Sequence, residues 1–206
     1  MLSYLVFGIT YAFAAAVQPG PLMTYLISQT LKRGWRSTLP AAFAPVISDG
    51  PILILVLCLL STMPDSLIVI LRIGGGLFLL YLGFRAFKSW KEFDANQTIS
   101  NESGKQTLLN AVFVNLLNPA PYLGWSLIMG PLFLEGWREA PINGIAMIIG
   151  FYLTFILTLA GFIVLFGFAR KLGPKVSKIS LGLSAVVLLA FGIYQLFLGI
   201  NYFVGA

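Results

Sequence analysis

Residues 1–31 read MLSYLVFGITYAFAAAVQPGPLMTYLISQTL, a run with no charged side chain that is interrupted at Gln18-Pro19-Gly20-Pro21. A hydrocarbon layer of about 30 Å needs about 20 apolar residues at the helical rise, so the run is long enough to cross one. The prolines inside it predict a broken helix. Proline has no N–H and its ring crowds the carbonyl four residues earlier, so Pro19 and Pro21 together free backbone carbonyls around Ala15 to Val17. Gly20 between them eases an unwound turn. The Ala14-Ala15-Ala16 tract resembles a signal-peptide cleavage site, but no Lys or Arg precedes it and the apolar run continues to Leu31. The segment is therefore read as the first helix.

Working outward, residues 106–134, 140–169 and 179–206 also lack charge, while 37–64 holds only Asp49 and 66–84 only Arg72. Over the 206 residues, 58% are apolar and 10% charged, and the mean hydropathy is +0.91. Such a chain is not an ordinary soluble protein. Six membrane helices are expected, at roughly 4–31, 37–61, 66–88, 107–134, 141–168 and 178–201.

A net charge of +6 could point to nucleic acid, but the basic residues sit in short loops between spans. Lys32, Arg33 and Arg36 follow the first helix; Arg85, Lys88, Lys91 and Lys105 follow the third; Arg170, Lys171, Lys175 and Lys178 follow the fifth. Arg72 and Arg138 fall on the other side with Asp65, Glu135 and Glu139. Topology signalling explains this pattern, and it puts the three basic loops in the cytoplasm and both termini outside. Cys58 is the only cysteine and there is no histidine, so no dithiol pair can form and a metal site would need oxygen ligands alone. No metal and no cofactor is expected.

The polar stretch Lys88 to Gln106 reads as a linker between two halves, with residues 1–90 before it, 91–106 within it and 107–206 after it. Gln18-Pro19-Gly20-Pro21 recurs one hundred residues later as Asn118-Pro119-Ala120-Pro121, and Gly34-Trp35-Arg36 is echoed by Gly136-Trp137-Arg138. Three helices per half is an odd number, so a second copy must enter the membrane inverted. The fold class expected is thus all-α and integral to the membrane, with six helices as two inverted three-helix repeats in which helices one and four are broken.

Both breaks lie near mid-membrane, where freed backbone groups must face a cavity or protein. Each break starts a new half-helix with a partial positive charge and ends the previous one in free carbonyls. The centre suits a small carboxylate at the first and a cation at the second, and an amino acid offers both. The candidate solute-binding residues are Gln18, Pro19, Gly20 and Pro21 with Asn118, Pro119, Ala120 and Pro121. Trp125, one turn past the second break, is a candidate wall. Asp49 is the one acid inside a span, about 18–20 Å from the basic end of its helix, and a charge at that depth is normally functional. Its context, Ser48-Asp49-Gly50-Pro51 with Pro45 a turn earlier, is expected to be another disrupted stretch. Arg72 is close enough to the outer end of its helix to snorkel to the headgroups, the alternative being a gating pair with Asp49. Gln195 and Asn201 are expected to satisfy local hydrogen bonds. Gly74-Gly75-Gly76, Gly83, Gly182 and Gly192 read as surfaces for close helix packing.

Taken together, the Gln-Pro-Gly-Pro break, Lys32-Arg33-Gly34, an aspartate in helix two, Arg72-Ile73-Gly74-Gly75 and Asn115-Leu116-Leu117-Asn118-Pro119 resemble the LysE family of bacterial amino-acid exporters across nearly the whole chain. The resemblance implies export of a small solute across the bacterial inner membrane, driven by the proton or the membrane potential, with the solute and membrane lipid as partners and a homo-oligomer left open. Members often carry an acid after Pro-Gly-Pro and a lysine after Asn-Pro, where this chain has Leu22 and Ala120; Ala41, Ala44 and Ser48 stand where helix-two glycines are expected. A divalent-cation exporter is the competing transport reading, but hard cations want more than one carboxylate. An intramembrane enzyme would need a nucleophile with a base, and one buried acid without histidine supplies neither a pair nor a triad. A channel would differ in showing no saturation and no solute exchange.

Overall fold

The computed structural model describes residues 1–18, 20–58, 65–92, 104–169 and 174–204, and helix dominates them. The first predicted span is two helices, α1 (Leu2–Val17) and α2 (Pro21–Arg33), which meet at 63°. The second begins with a single turn, α3 (Trp35–Thr38), passes through a 3₁₀ segment at Leu39–Phe43 and continues as α4 (Ala44–Cys58). The third is α5 (Asp65–Lys91). The fourth comprises α6 (Gly104–Leu116), α7 (Pro119–Gly124), a π-helical turn at Trp125–Met129 and α8 (Gly130–Glu139). Two long helices finish the chain, α9 (Pro141–Ala169) and α10 (Pro174–Val204).

Among the described residues, three continuous segments are long and apolar enough to cross a membrane: Trp35–Val56, Pro141–Phe168 and Leu181–Asn201. α1 with α2 forms a fourth when the bent pair is taken as one span. The outward faces are apolar. Leu153, Leu157 and Leu165 on α9 and Ile193, Phe197 and Ile200 on α10 are exposed at helical spacing. Water would penalise such a surface and lipid tails accept it. The chain is an all-helical membrane protein.

Two features differ from the sequence reading. Ser48-Asp49-Gly50-Pro51 is not disrupted but lies inside the α-helix α4. One interior proline removes a single i to i−4 bond, and the rest of the ladder continues through Pro51; the irregular turn falls earlier, around Pro40. The echoed Gly-Trp-Arg motifs also part company. Gly34 closes α2 with φ +85°, a left-handed conformation that glycine adopts without a Cβ clash, whereas Gly136 to Arg138 continue helix α8. Cys58 ends α4, and the predicted linker lies largely outside the described residues.

Glycines set the close helix pairs, as small residues do where lipid offers no hydrophobic drive. A Cβ on Gly76 would stand 2.8 Å from Leu196 Cγ and 2.9 Å from the Gly192 carbonyl, and one on Gly83 would stand 2.8 Å from Leu189 Cγ, so α5 and α10 pack nearly backbone to backbone. Gly8 faces the Met147 carbonyl in the same way and brings α1 onto α9. The two ends of the bundle differ in charge. Lys32 Nζ donates to the Arg85 carbonyl at 3.2 Å, joining the basic ends of α2 and α5. At the other end Tyr4 packs on Gly136, beside Glu135 and Glu139. The core cluster that matters for the site is Ala12, Ile52, Tyr122, Trp125, Met129, Met147 and Phe151.

Candidate functional site

A cavity of about 410 Å³ opens between the two helix breaks. Its wall includes Gln18, Gly20 and Pro21 from the first break and Asn118, Pro119, Ala120 and Pro121 from the second, together with Asp49, Arg72 and Trp125. Thus the sequence-predicted residues converge, apart from Pro19, which lies outside the described residues.

Asp49 is 3% exposed and sits at the centre of a hydrogen-bond cluster. Asn115 Nδ2 donates to its Oδ1 at 3.2 Å and to Ser48 Oγ at 2.7 Å. Trp125 Nε1 and the Tyr152 hydroxyl each donate to Oδ2 at 3.2 Å. Ser48 Oγ in turn donates to the carbonyls of Ala44 and Pro45, one turn back in α4. A carboxylate has about four acceptor positions, so three donors leave about one for a proton or an ammonium group.

The segment from α6 to α8 supplies two of those donors because of its local irregularities. α6 stops before Asn118, and Asn115 lies in its last turn. Beyond the break, the backbone widens into a π-turn at Trp125, which redirects the indole toward Asp49. Widened turns of this kind recur at functional sites. Gly130 is required there, since a Cβ would meet the Trp125 carbonyl. The indole is held edge-on by Phe151 at 5.8 Å and lies against Tyr152 at 6.5 Å.

The second break is capped from within. Asn118 Oδ1 accepts from the Ala120 amide at 3.2 Å, the Asn118 amide donates to the Asn115 carbonyl at 3.2 Å, and the Tyr122 hydroxyl donates to the Leu116 carbonyl at 2.8 Å. These bonds satisfy groups that the break would orphan. The side-chain oxygen of Asn118 is thereby engaged in the helix cap. Gly124, just beyond, admits Tyr11 from α1: a Cβ would stand 2.7 Å from the Tyr11 hydroxyl.

Arg72 lines the cavity, and its Nη1 donates to the Leu198 carbonyl of α10 at 3.4 Å. No ion pair joins it to Asp49 among the described residues, and its Nε is buried without a hydrogen-bond partner. Gln195, read from the sequence as a group with local bonds, is 8% exposed and lines the cavity instead, whereas Asn201 is exposed. Sequence reasoning did not assign Asn115 or Tyr152 a role. Asn115 left a signal, an amide inside an apolar run three residues before a break; Tyr152 left none.

Residues 13–199, nearly the whole chain, match a family model described as LysE type translocator. No match is found among curated proteins or among solved structures.

Proposed function

The chain belongs to the LysE type translocator family, and on that premise we propose that it exports small amino-acid-like solutes by alternating access, coupled to proton entry. The observation that carries the reading is Asp49, the one buried carboxylate among the described residues, on the wall of a cavity shared by two helix breaks. With about one acceptor position free, a proton and a solute ammonium compete for it. Protonation from outside releases the solute, and proton loss to the cytoplasm readies the site for the next. Such competition suffices for antiport without a second titratable group.

On this reading the six helical segments are two inverted repeats, 1–90 and 107–206, joined by a cytoplasmic linker at 91–106, in the bacterial inner membrane with both termini outside. Helix pairing supports the repeat. α5 packs on α10, the third helix of one half on the third of the other, and α1 on α9 has its counterpart in α6 on α4. The separation of Lys32 and Arg85 from Glu135 and Glu139 supports the orientation.

Efflux from proteoliposomes loaded with each common amino acid, under an imposed pH gradient, tests the proposal. The wild-type protein is expected to show saturable efflux of one chemical group. Asp49→Asn keeps the fold, because an amide is cheaper to bury than a charge, but loses the response to the gradient. A folded Asp49→Asn protein that still concentrates solute in response to pH would remove Asp49 from the coupling.

A further inference from the structure

We infer that Arg72 is the carboxylate-binding residue of the solute site, and that with Asp49 it restricts the site to zwitterionic α-amino acids whose side chain is uncharged. The inference rests on the exporter reading and adds to it the substrate class and a residue role.

Asp49 and Arg72 are the charged residues on the cavity wall among the described residues. They come from different helices, α4 and α5, and their hydrogen-bonding states are opposite. Asp49 is held by three donors and keeps about one acceptor position. Arg72 has five N–H donors and one acceptor at 3.4 Å, the long end of a hydrogen bond, and its Nε is buried with nothing to donate to. Nε, having no accessible surface, is out of a solute's reach, so the donors left for a carboxylate are those of the two terminal nitrogens, whose end-on fork matches a carboxylate in bidentate geometry. An α-amino acid brings one carboxylate and one ammonium, which is the complement of what the wall leaves open.

The rest of the wall sets the side chain. Phe151, Phe155 and Met129 line the cavity beside the uncharged polar side chains of Gln18, Asn118 and Gln195, with no further acid or base among the described residues. A second ammonium, as in lysine, or a second carboxylate, as in glutamate, would be buried there without a countercharge. Leucine and phenylalanine leave no charge unmatched.

Equilibrium binding to the purified full chain in lipid nanodiscs tests this with four probes: L-leucine, L-leucinamide, which lacks the carboxylate, 4-methylpentanoate, which lacks the amino group, and L-lysine. Wild-type protein is expected to bind leucine about tenfold or more tightly than each of the others. Arg72→Gln is expected to lose about tenfold or more for leucine while binding leucinamide within about twofold of wild type, which abolishes the discrimination between acid and amide. Arg72→Lys, which keeps the charge but loses the fork, restores part of it. A purely structural Arg72, pinning α5 to α10 through Leu198, would lower both affinities together and leave their ratio unchanged; that result overturns the inference. So does wild-type protein that binds leucinamide or lysine as well as leucine, a comparison that needs no variant. A protein that binds and exports lysine leaves the exporter reading standing and removes this one, whereas a folded protein that neither binds nor moves any amino acid removes both.

Discussion

At Gln18 to Pro21 the chain passes from α1 to α2 with no side-chain cap: Gly20 precedes the first turn of α2 with nothing to accept from its amides, and the Gln18 side chain is exposed. Among the described residues the backbone bonds there are those of the helices themselves, the Gln18 amide to Ala14 and the Thr24 amide to the Gly20 carbonyl. At Asn118 to Pro121 a nearly identical motif is tied on every side, by the Asn118 cap, by Tyr122 on Leu116 and by Asn115 reaching Asp49 and Ser48. The same proline chemistry therefore yields two kinds of break. On the exporter reading proposed above, the second is the wall that holds Asp49 and the first is the side expected to adjust around a solute. In an alternating-access protein that asymmetry assigns the tighter fit to one half and the motion to the other.

The largest effect is expected where the second break is clamped from outside. A Cβ on Gly75 of α5 would meet the Leu117 carbonyl, backbone against backbone, so neither side can give by rotating a side chain. Gly75→Ala should destabilise the protein by about 1–3 kcal/mol, the usual range for overpacking. Thermal unfolding in detergent, followed by tryptophan fluorescence, checks it. An unchanged midpoint would mean that the second break shifts as freely as the first, and the comparison would fail.

A smaller and more direct contrast comes from paired alanine substitutions at equivalent positions. Asn118→Ala removes the cap bond to Ala120 and should cost about 1 kcal/mol, whereas Gln18→Ala, at an exposed side chain with no bond to lose, should stay within about 0.5 kcal/mol. Transport should respond in the opposite sense, with Gln18→Ala raising KM for the solute at unchanged stability. Equal destabilisation by the two substitutions would erase the distinction between wall and adjustable side.

The positions of both breaks were legible in the sequence because proline leaves no alternative to losing a bond, and Asp49 because a charge in an apolar run is conspicuous. How each break is repaired was not legible. Asn118 and Gln18 look interchangeable as letters, yet only the shorter amide reaches the amide two residues on. Pro51 looked as disruptive as Pro19, but a lone interior proline is absorbed by α4 while a Pro-x-Pro pair is not. Tyr152 sits in an unbroken apolar helix with a hundred residues between it and Asp49, so only the packing of α9 brings its hydroxyl to the carboxylate. The π-turn that aims Trp125 likewise has no periodicity signal, because it inserts a register shift into an otherwise ordinary helix.

The smallest effect is expected at Gly20, and it isolates the adjustable break most cleanly. Gly20 has φ −158° and ψ 178°, extended backbone that any residue adopts, and a Cβ there would meet only the Gln18 carbonyl at 3.8 Å, an ordinary contact. Neither conformation nor space therefore demands glycine in this position. Alanine is a poorer residue than glycine before a helix, a loss of some tenths of a kcal/mol, but it also restricts the unfolded chain by about 0.4–1 kcal/mol in the opposite sense. The two nearly offset, and Gly20→Ala should leave stability within about 0.5 kcal/mol of wild type. The substitution also makes the first motif match the second, where Ala120 already occupies the equivalent site. Whatever it does to transport is then not a folding effect. Gly20 lines the cavity, so an added methyl group reduces the space for a solute, and the expected result is a higher KM for the largest accepted solutes with kcat little changed. A drop in kcat with KM held would show instead that the first break needs glycine to move, through conformations that alanine cannot visit. That outcome would set the two breaks further apart, because the second carries Ala120 at the equivalent position and has no such freedom.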